Sequence, residues 1–596
     1  MNSIQITSKG VLISFDILKS TVAEPILKKI LSSLTIKSKI VGRQTSQYTA
    51  PITKKAYIIK TFNTIKYLII PKTAIIKFLP YINNVQNMLP MVRKINSANL
   101  EPSAERSLLL YEYQAAAVNY LSTTDKNYVY LQMDTGLGKS RVGCALIAHR
   151  EEPAIVIVPT QAIAEQWFDE FTEMYPKLNV IIYSNLKHAV KIDKTNLNKL
   201  NTEINTNTEM NTITEINKPK KIKPKKIHIP ASSETHDVFI MIINTFREKD
   251  YTFVEGFGTI VLDEAHEYHS ECNSQALWLS QSNFVLGLSA TPDERPDELD
   301  KYIQLHLGPI LYPSSIPGFD ISSINFKAQV KVIEYEGNDK YCEAILTPAG
   351  TISAIMTITN IIGDPYRLKL IVQEIQKLNT IHLLPEGEAQ GLSKDLSKNK
   401  RHGIFVFAER RDFLITLKNA LIAMGETNIL IPELNETIHD ETIHDETIHD
   451  ETIYDETIHD ETINDETIHD ETIHDETIIS NPQLISVLRG GISKNTLIET
   501  RKAKAHIVLT TYGYSRRGIS LPEMTSLVLV TPRRNGMRQI IGRILRRGSD
   551  ETIIRQIVDI VDVCTVLKGQ FAERKKIYKG RKYPLTKIVT KWDEYI

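Results

Sequence analysis

Two short segments carry residue types at spacings suited to phosphate chemistry. LQMDTGLGKSR (131–141) follows the apolar run YVYLQM and precedes a helical pattern beginning VGCALIA. Its core, Thr135-Gly136-Leu137-Gly138-Lys139-Ser140, has the spacing of a P-loop, with Met133 standing where a first glycine is usual. Small glycines such as Gly136 and Gly138 let backbone N–H groups face phosphates, and the following helix presents its positive end. Lys139 is positioned to hold β- and γ-phosphates, and Ser140 to place its hydroxyl on Mg²⁺. A glycine-rich turn before an ordinary helix is the plainer alternative. VLDEAH (261–266) then puts two acids at the end of an apolar strand, which is costly unless a cation faces them. Asp263 can reach the P-loop metal, while Glu264, pointing the other way by strand alternation, can polarise a water. A solvated strand end is the alternative here, and the upstream P-loop weighs against it.

A third segment, QIIGRILRRG (539–548), places Gln539, Arg543 and Arg546 at i, i+4 and i+7, one face of a helix. A guanidinium aimed across a cleft can neutralise charge on a leaving γ-phosphoryl group. A basic helix lying on nucleic acid or solvent remains the competing reading.

The elements that must position these residues are short β-branched runs alternating with helical stretches. AIVIVP (154–159), VFIMII (238–243), TIVLDE (259–264) and FVLGLS (284–289) read as buried strands. GIFVFA (403–408), AHIVLTT (505–511) and SLVLVT (526–531) form a second set. Continuous apolar strands separated by helices argue for parallel sheets covered on both faces. The expected fold class is therefore α/β, with two parallel-sheet lobes in tandem. The spacing of Lys139 and Asp263 suits neighbouring strands of one sheet.

At this point the sequence resembles the superfamily 2 helicases and translocases, and among them the helicases of large cytoplasmic DNA viruses. The resemblance covers about residues 106 to 580 and implies RecA-like lobes. YEYQAAAV (111–118) is similar to the segment whose glutamine, here Gln114, reads adenine. VPTQAIAEQW (158–167) resembles the strand-end loop that holds the nucleic-acid backbone, which implicates Pro159 and Thr160. LSATP (288–292) looks like the linkage between ATP and nucleic-acid sites, implying coupling roles for Ser289 and Thr291 with His266. TTYGYSRRGISLPEMTSLVL (510–529) resembles an element of the second lobe, bringing in Thr511 for nucleic acid and Gly518 for nucleotide. Many relatives carry Asp two residues after this glycine, whereas Ser520 stands here. The resemblance implies a helicase or translocase using ATP and Mg²⁺, with Glu264, Arg543, Arg546 and Gln539 catalytic and nucleic acid as partner. It also implies a monomer of the host cytoplasm or viral factory, packaged in the virion or working beside viral transcription machinery. Two rivals stay open: an ATPase that remodels protein–nucleic-acid complexes without separating strands, and an inactive virion scaffold. Intact Lys139, Glu264 and Arg546 argue against the scaffold.

The chain has 596 residues, 42% hydrophobic and 24% charged, which excludes wholesale disorder and small disulfide scaffolds. Lys+Arg and Asp+Glu balance at 71 each, but unevenly. The repeat ETIHD fills 436–476 with 17 acids and no Lys or Arg, so the rest of the chain is strongly basic. A five-residue period matches neither helix nor strand, and the repeat reads as an insertion at 436–478 within a lobe. A second insertion, about 187–233, is rich in Asn, Thr and Lys. The expected division is a basic accessory domain over 1–105, a first lobe over 106–310, a second over 311–575 and a basic tail over 576–596. No window is long and apolar enough to span a bilayer. Four scattered cysteines read as reduced thiols of a cytosol-like compartment, without a zinc site.

Overall fold

The computed structural model describes residues 4–38, 52–104, 110–183, 233–293, 295, 297–321, 326–348, 350, 352–380, 402–423, 485–489, 506–515, 521, 523–533, 536–545, 553–563 and 565–596. The ETIHD repeat and nearly all of the 187–233 insertion lie outside the described residues, as do Gly518, Ser520 and Arg546.

The first lobe is built on seven parallel strands. Their spatial order is Val180–Tyr183, Val238–Ile242, Ala154–Val158, Thr259–Leu262, Phe284–Ser289, Tyr128–Gln132 and Ile310–Leu311. The central strands are apolar except at Thr259 and Ser289 because helices cover both faces of the sheet, and they are buried throughout. The strand bearing the acid pair is not the neighbour of the phosphate-loop strand, as their spacing had suggested. Phe284–Ser289 lies between them and pairs with both. A parallel sheet allows this, since each crossover can step over a position that a later strand fills.

The second lobe repeats the plan with seven parallel strands. Their order is Ile485–Leu488, Ile507–Thr511, Gly403–Ala408, Met524–Leu529, Arg555–Asp562, Ala328–Glu336 and Leu585–Lys591. The chain is thus α/β with two RecA-like parallel-sheet lobes in tandem. Residues 576–596, expected as a basic tail, are part of this lobe. Helix Phe571–Gly580 anchors them through Arg574, whose buried guanidinium donates to Asp559 at 2.8 Å, and through Tyr578, which donates to the same carboxylate at 2.8 Å. The strand Leu585–Lys591 then pairs along Ala328–Glu336. Its sequence, LTKIVTK, mixes lysines and apolar residues on one face, because an edge strand exposed at every position but Thr590 needs no alternation.

The amino-terminal residues form a mixed five-stranded sheet, ordered Ile58–Phe62, Ile65–Ile70, Gly10–Ser14, Ile4–Thr7 and Val85–Asn87. Its core is continuous with the underside of the first lobe. Lys72 is buried at that seam and donates to the carbonyls of Gln281 at 2.7 Å and Ser282 at 3.2 Å. Burial pushes its ammonium down to about 7. Cys342 is disulfide-bonded, so the expectation of four reduced thiols is corrected there, while Cys144 and Cys272 are free. Among the described residues, no helix is long and apolar enough to cross a membrane.

Candidate nucleotide site at the lobe interface

The phosphate loop leaves the strand Tyr128–Gln132 and enters helix Lys139–Arg150. Gly136 and Gly138 have φ of 90° and 77°, the left-handed region where a side chain is strained, so the loop needs glycine at both positions. Met133, the departure from the usual pattern, is buried in the lobe's core and keeps its N–H on the carbonyl of Ser289 at 2.9 Å. Gln114 and Tyr113 grip the loop from behind. Gln114 Nε2 and the Tyr113 hydroxyl donate to the Leu137 carbonyl at 2.9 and 3.0 Å, and Gln114 Oε1 accepts from the Tyr111 N–H at 3.0 Å. Gln114 is therefore buried against the loop's own backbone.

The acid pair is separated by a turn. The strand ends at Leu262, so alternation does not divide the two carboxylates as expected. Glu264 takes φ 46° and ψ 47°, a left-handed conformation rare for a residue with a side chain, and this swings it away from Asp263. Asp263 is 7% exposed, and both its oxygens are engaged. Trp167 Nε1 donates to Oδ2 at 2.8 Å, and the Glu264 N–H donates to Oδ1 at 2.9 Å. Burial, then the neighbouring Glu264 charge, push the Asp263 carboxyl up to about 6, against the pull of Lys139. For Glu264, burial raises the carboxyl, but Lys139, His266 and Arg543 outweigh it and hold it below the usual range. Lys139 Nζ lies 3.8 Å from Glu264 Oε1. Glu264 Oε2 is buried and accepts no hydrogen bond, with His266 Nδ1 3.4 Å away. Hence Glu264 is ionised and retains acceptor capacity.

From Glu264 a polar chain runs to the end of the next strand. His266 Nδ1 is 3.0 Å from Ser289 Oγ, which accepts the Thr291 N–H at 3.0 Å. The three residues expected to couple sites are therefore one connected unit, built where two neighbouring strands end side by side. Pro159 and Thr160 stand at the end of Ala154–Val158. Thr160 Oγ1 also accepts the Ile163 N–H at 3.4 Å and so caps helix Gln161–Met174. Thr511, ending its strand in the second lobe, accepts the Tyr514 N–H at 3.2 Å.

The second lobe reaches this site through its arginine segment. Helix Met537–Ile541 stops and tightens into a 3₁₀ turn, Gly542–Ile544, rather than continuing as one long face. A Cβ on Gly542 would stand 2.7 Å from Thr135 Cβ, so only glycine lets the lobes approach this closely. Arg543 is 8% exposed, and Gln539 is buried beside it. Burial pulls the Arg543 guanidinium down to about 10, opposed by Glu264, so it stays cationic at neutral pH. Arg555 supports the turn from below, donating to the Ile544 carbonyl at 2.8 Å.

Three contributors were not singled out by sequence. Trp167 is 1% exposed and packs in the core, yet its indole N–H holds Asp263. Glu170, one turn on, pairs with Arg141 at the start of the phosphate-loop helix. Arg581, from the expected tail, reaches Asp134 in the phosphate loop at 3.4 Å. The i, i+3 spacing of Trp167 and Glu170 was the available signal for the first two.

The chain is also similar to known proteins. Residues 107–294 match the family described as the type III restriction enzyme, res subunit. The QP509L protein of African swine fever virus, described as a candidate ATP-dependent RNA helicase, is 32% identical over 513 residues in one tick isolate, covering 85% of this chain and 79% of the relative. In a second tick isolate it is 32% identical over 498 residues, covering 83% and 77%. Among solved structures, S. cerevisiae Dbp5 bound to RNA and ADP–BeF3 aligns with a TM-score of 0.44 at 13% identity, over 81% of this chain and 91% of the other. T4 UvsW aligns with a TM-score of 0.31 at 15% identity, over 96% of each chain.

Proposed function

This chain belongs to the superfamily 2 helicases, in the family of the African swine fever virus QP509L proteins, and is an ATP-dependent helicase or translocase of nucleic acid; we propose that its strand is RNA and that ATP is broken between the two lobes. The observation that carries the interlobe reading is the seating of Gly542 on Thr135, with Arg543 acting on Glu264 from the opposite lobe.

In this reading the backbone of the glycine loop cradles the phosphates and Lys139 holds the β- and γ-groups. Glu264, ionised and carrying a buried oxygen without a hydrogen bond, takes the proton of the attacking water. Arg543, aided by Arg546 and steadied by Gln539, neutralises charge on the leaving phosphoryl group only when the lobes close. His266, Ser289 and Thr291 pass the state of this site to Pro159 and Thr160, which with Thr511 grip the strand backbone.

The residues also fit Mg²⁺. Ser140 and Asp263 offer hard oxygen donors, and a buried carboxyl held up at about 6 is one that a cation would settle. These two side chains would hold the ion, which when bound supplies charge neutralisation at the phosphates. The RNA reading is supported by the description of the QP509L relatives as RNA helicases.

The test is the ATPase rate of the full chain with single-stranded RNA, single-stranded DNA and duplex in parallel, beside Lys139→Ala. RNA should stimulate most, and the variant should lose turnover while keeping RNA binding. Equal stimulation by DNA removes the RNA assignment, and an unchanged rate in Lys139→Ala removes the site. Stimulated hydrolysis without strand separation would favour remodelling of protein–RNA complexes.

A further inference from the structure

Asp263 receives one of its two hydrogen bonds from outside the nucleotide motifs. The donor is Trp167 Nε1, at 2.8 Å, on helix Gln161–Met174. The indole is a donor only, so it can orient a carboxylate without competing for a cation. It is 1% exposed and packs against Phe171, with ring centroids 6.1 Å apart. Its far edge lies on helix Lys139–Arg150 at Gly143, where an added Cβ would stand 2.4 Å from Trp167 Cη2. The ring is therefore wedged between the phosphate-loop helix and the acid pair. One turn on, Glu170 pairs with Arg141, tying the same helix to the start of helix Lys139–Arg150. Helix Gln161–Met174 thus touches both Asp263 and the start of the phosphate-loop helix.

We propose that Trp167 is a positioning residue: its indole N–H, held in register by Gly143 and Phe171, fixes the rotation of the Asp263 carboxylate for Mg²⁺. The second oxygen is fixed by the Glu264 N–H at 2.9 Å, so the two donors together define the carboxylate plane. Partners of this kind set ligand direction, and losing one typically costs 10–100-fold in metal affinity or activity. The inference rests on the assignment of Asp263 to Mg²⁺ made above.

The experiment measures binding of a fluorescent ADP to the full chain with and without Mg²⁺, using wild type, Trp167→Phe and Asp263→Asn. Trp167→Phe keeps an aromatic ring and removes the N–H. It should leave metal-free ADP affinity unchanged and raise the Mg²⁺ concentration for half-maximal enhancement by about tenfold or more. Asp263→Asn should abolish the Mg²⁺ enhancement. If Asp263→Asn abolishes it and Trp167→Phe matches wild type, the positioning role is overturned while the metal assignment stands. If Asp263→Asn keeps the enhancement, the metal assignment falls and the positioning role with it. Should Trp167→Phe not fold, wild type labelled with 5-fluorotryptophan gives three fluorine resonances, one per tryptophan. Trp278→Phe and Trp592→Phe assign the third to Trp167 by elimination. That resonance should move when Mg²⁺ is added to the ADP-bound protein, and a stationary one overturns the proposal.

Discussion

Replacing Glu264 with Gln keeps the shape of the side chain and removes its charge. Two effects should follow, of opposite sign. A positioned base contributes about 10²–10⁴-fold, so turnover should fall by roughly 3–5 kcal/mol in barrier height. Nucleotide binding should strengthen. Lys139 Nζ sits 3.8 Å from Glu264 Oε1. At an effective dielectric of about 20 that attraction is about 4 kcal/mol, and Lys139 must loosen it to take a phosphate. Relief of even a quarter of it, about 1 kcal/mol, tightens ATP by about fivefold. Asp263 should keep its metal, because the carboxylate that helps to raise its pKa is gone. Steady-state hydrolysis and fluorescent-nucleotide titration on the same preparation read both effects. Turnover within about threefold of wild type would refute the base assignment, since the smallest expected loss is about 10²-fold. Weakened ATP binding would refute the competition for Lys139.

Two further outcomes test the interlobe and interdomain contacts. Arg581→Ala and Asp134→Asn should each raise the KM for ATP slightly and show a coupling of about 0.2–1 kcal/mol in a double-mutant cycle, as expected for a half-exposed pair. Purely additive changes would mean that the two side chains do not act together. Lys72→Met tests the seam of the amino-terminal sheet. The folded pKa of Lys72, about 7, lies below that of an unfolded lysine, so the unfolded chain binds more protons between about pH 7 and 10. Stability of the wild type relative to Lys72→Met should therefore rise with pH across that window, by at most about 1.4 kcal/mol per unit. Parallel thermal melts check this, and a gap independent of pH would show that Lys72 stays charged in the fold.

Much of the nucleotide site is legible in the chain itself, because its chemistry depends on local spacing. Thr135 to Ser140 must be a loop entering a helix, and Asp263-Glu264 must end a strand. Both follow from residue types within a few positions of each other, as do the parallel sheets, whose apolar runs reflect burial on two faces. Tertiary structure decided what local spacing does not encode. The left-handed turn at Glu264, not strand alternation, separates the two acids. Phe284–Ser289 stands between the two strands that carry the chemistry. Trp167 meets Asp263 across 96 residues, and Arg581 meets Asp134 across 447. Such contacts depend on how helices and lobes stack, and an indole buried as packing has the same sequence signature as one that also holds a carboxylate. The close approach of Gly542 to Thr135 belongs with them: its sequence is a glycine like any other, and only the meeting of two lobes gives it a reason.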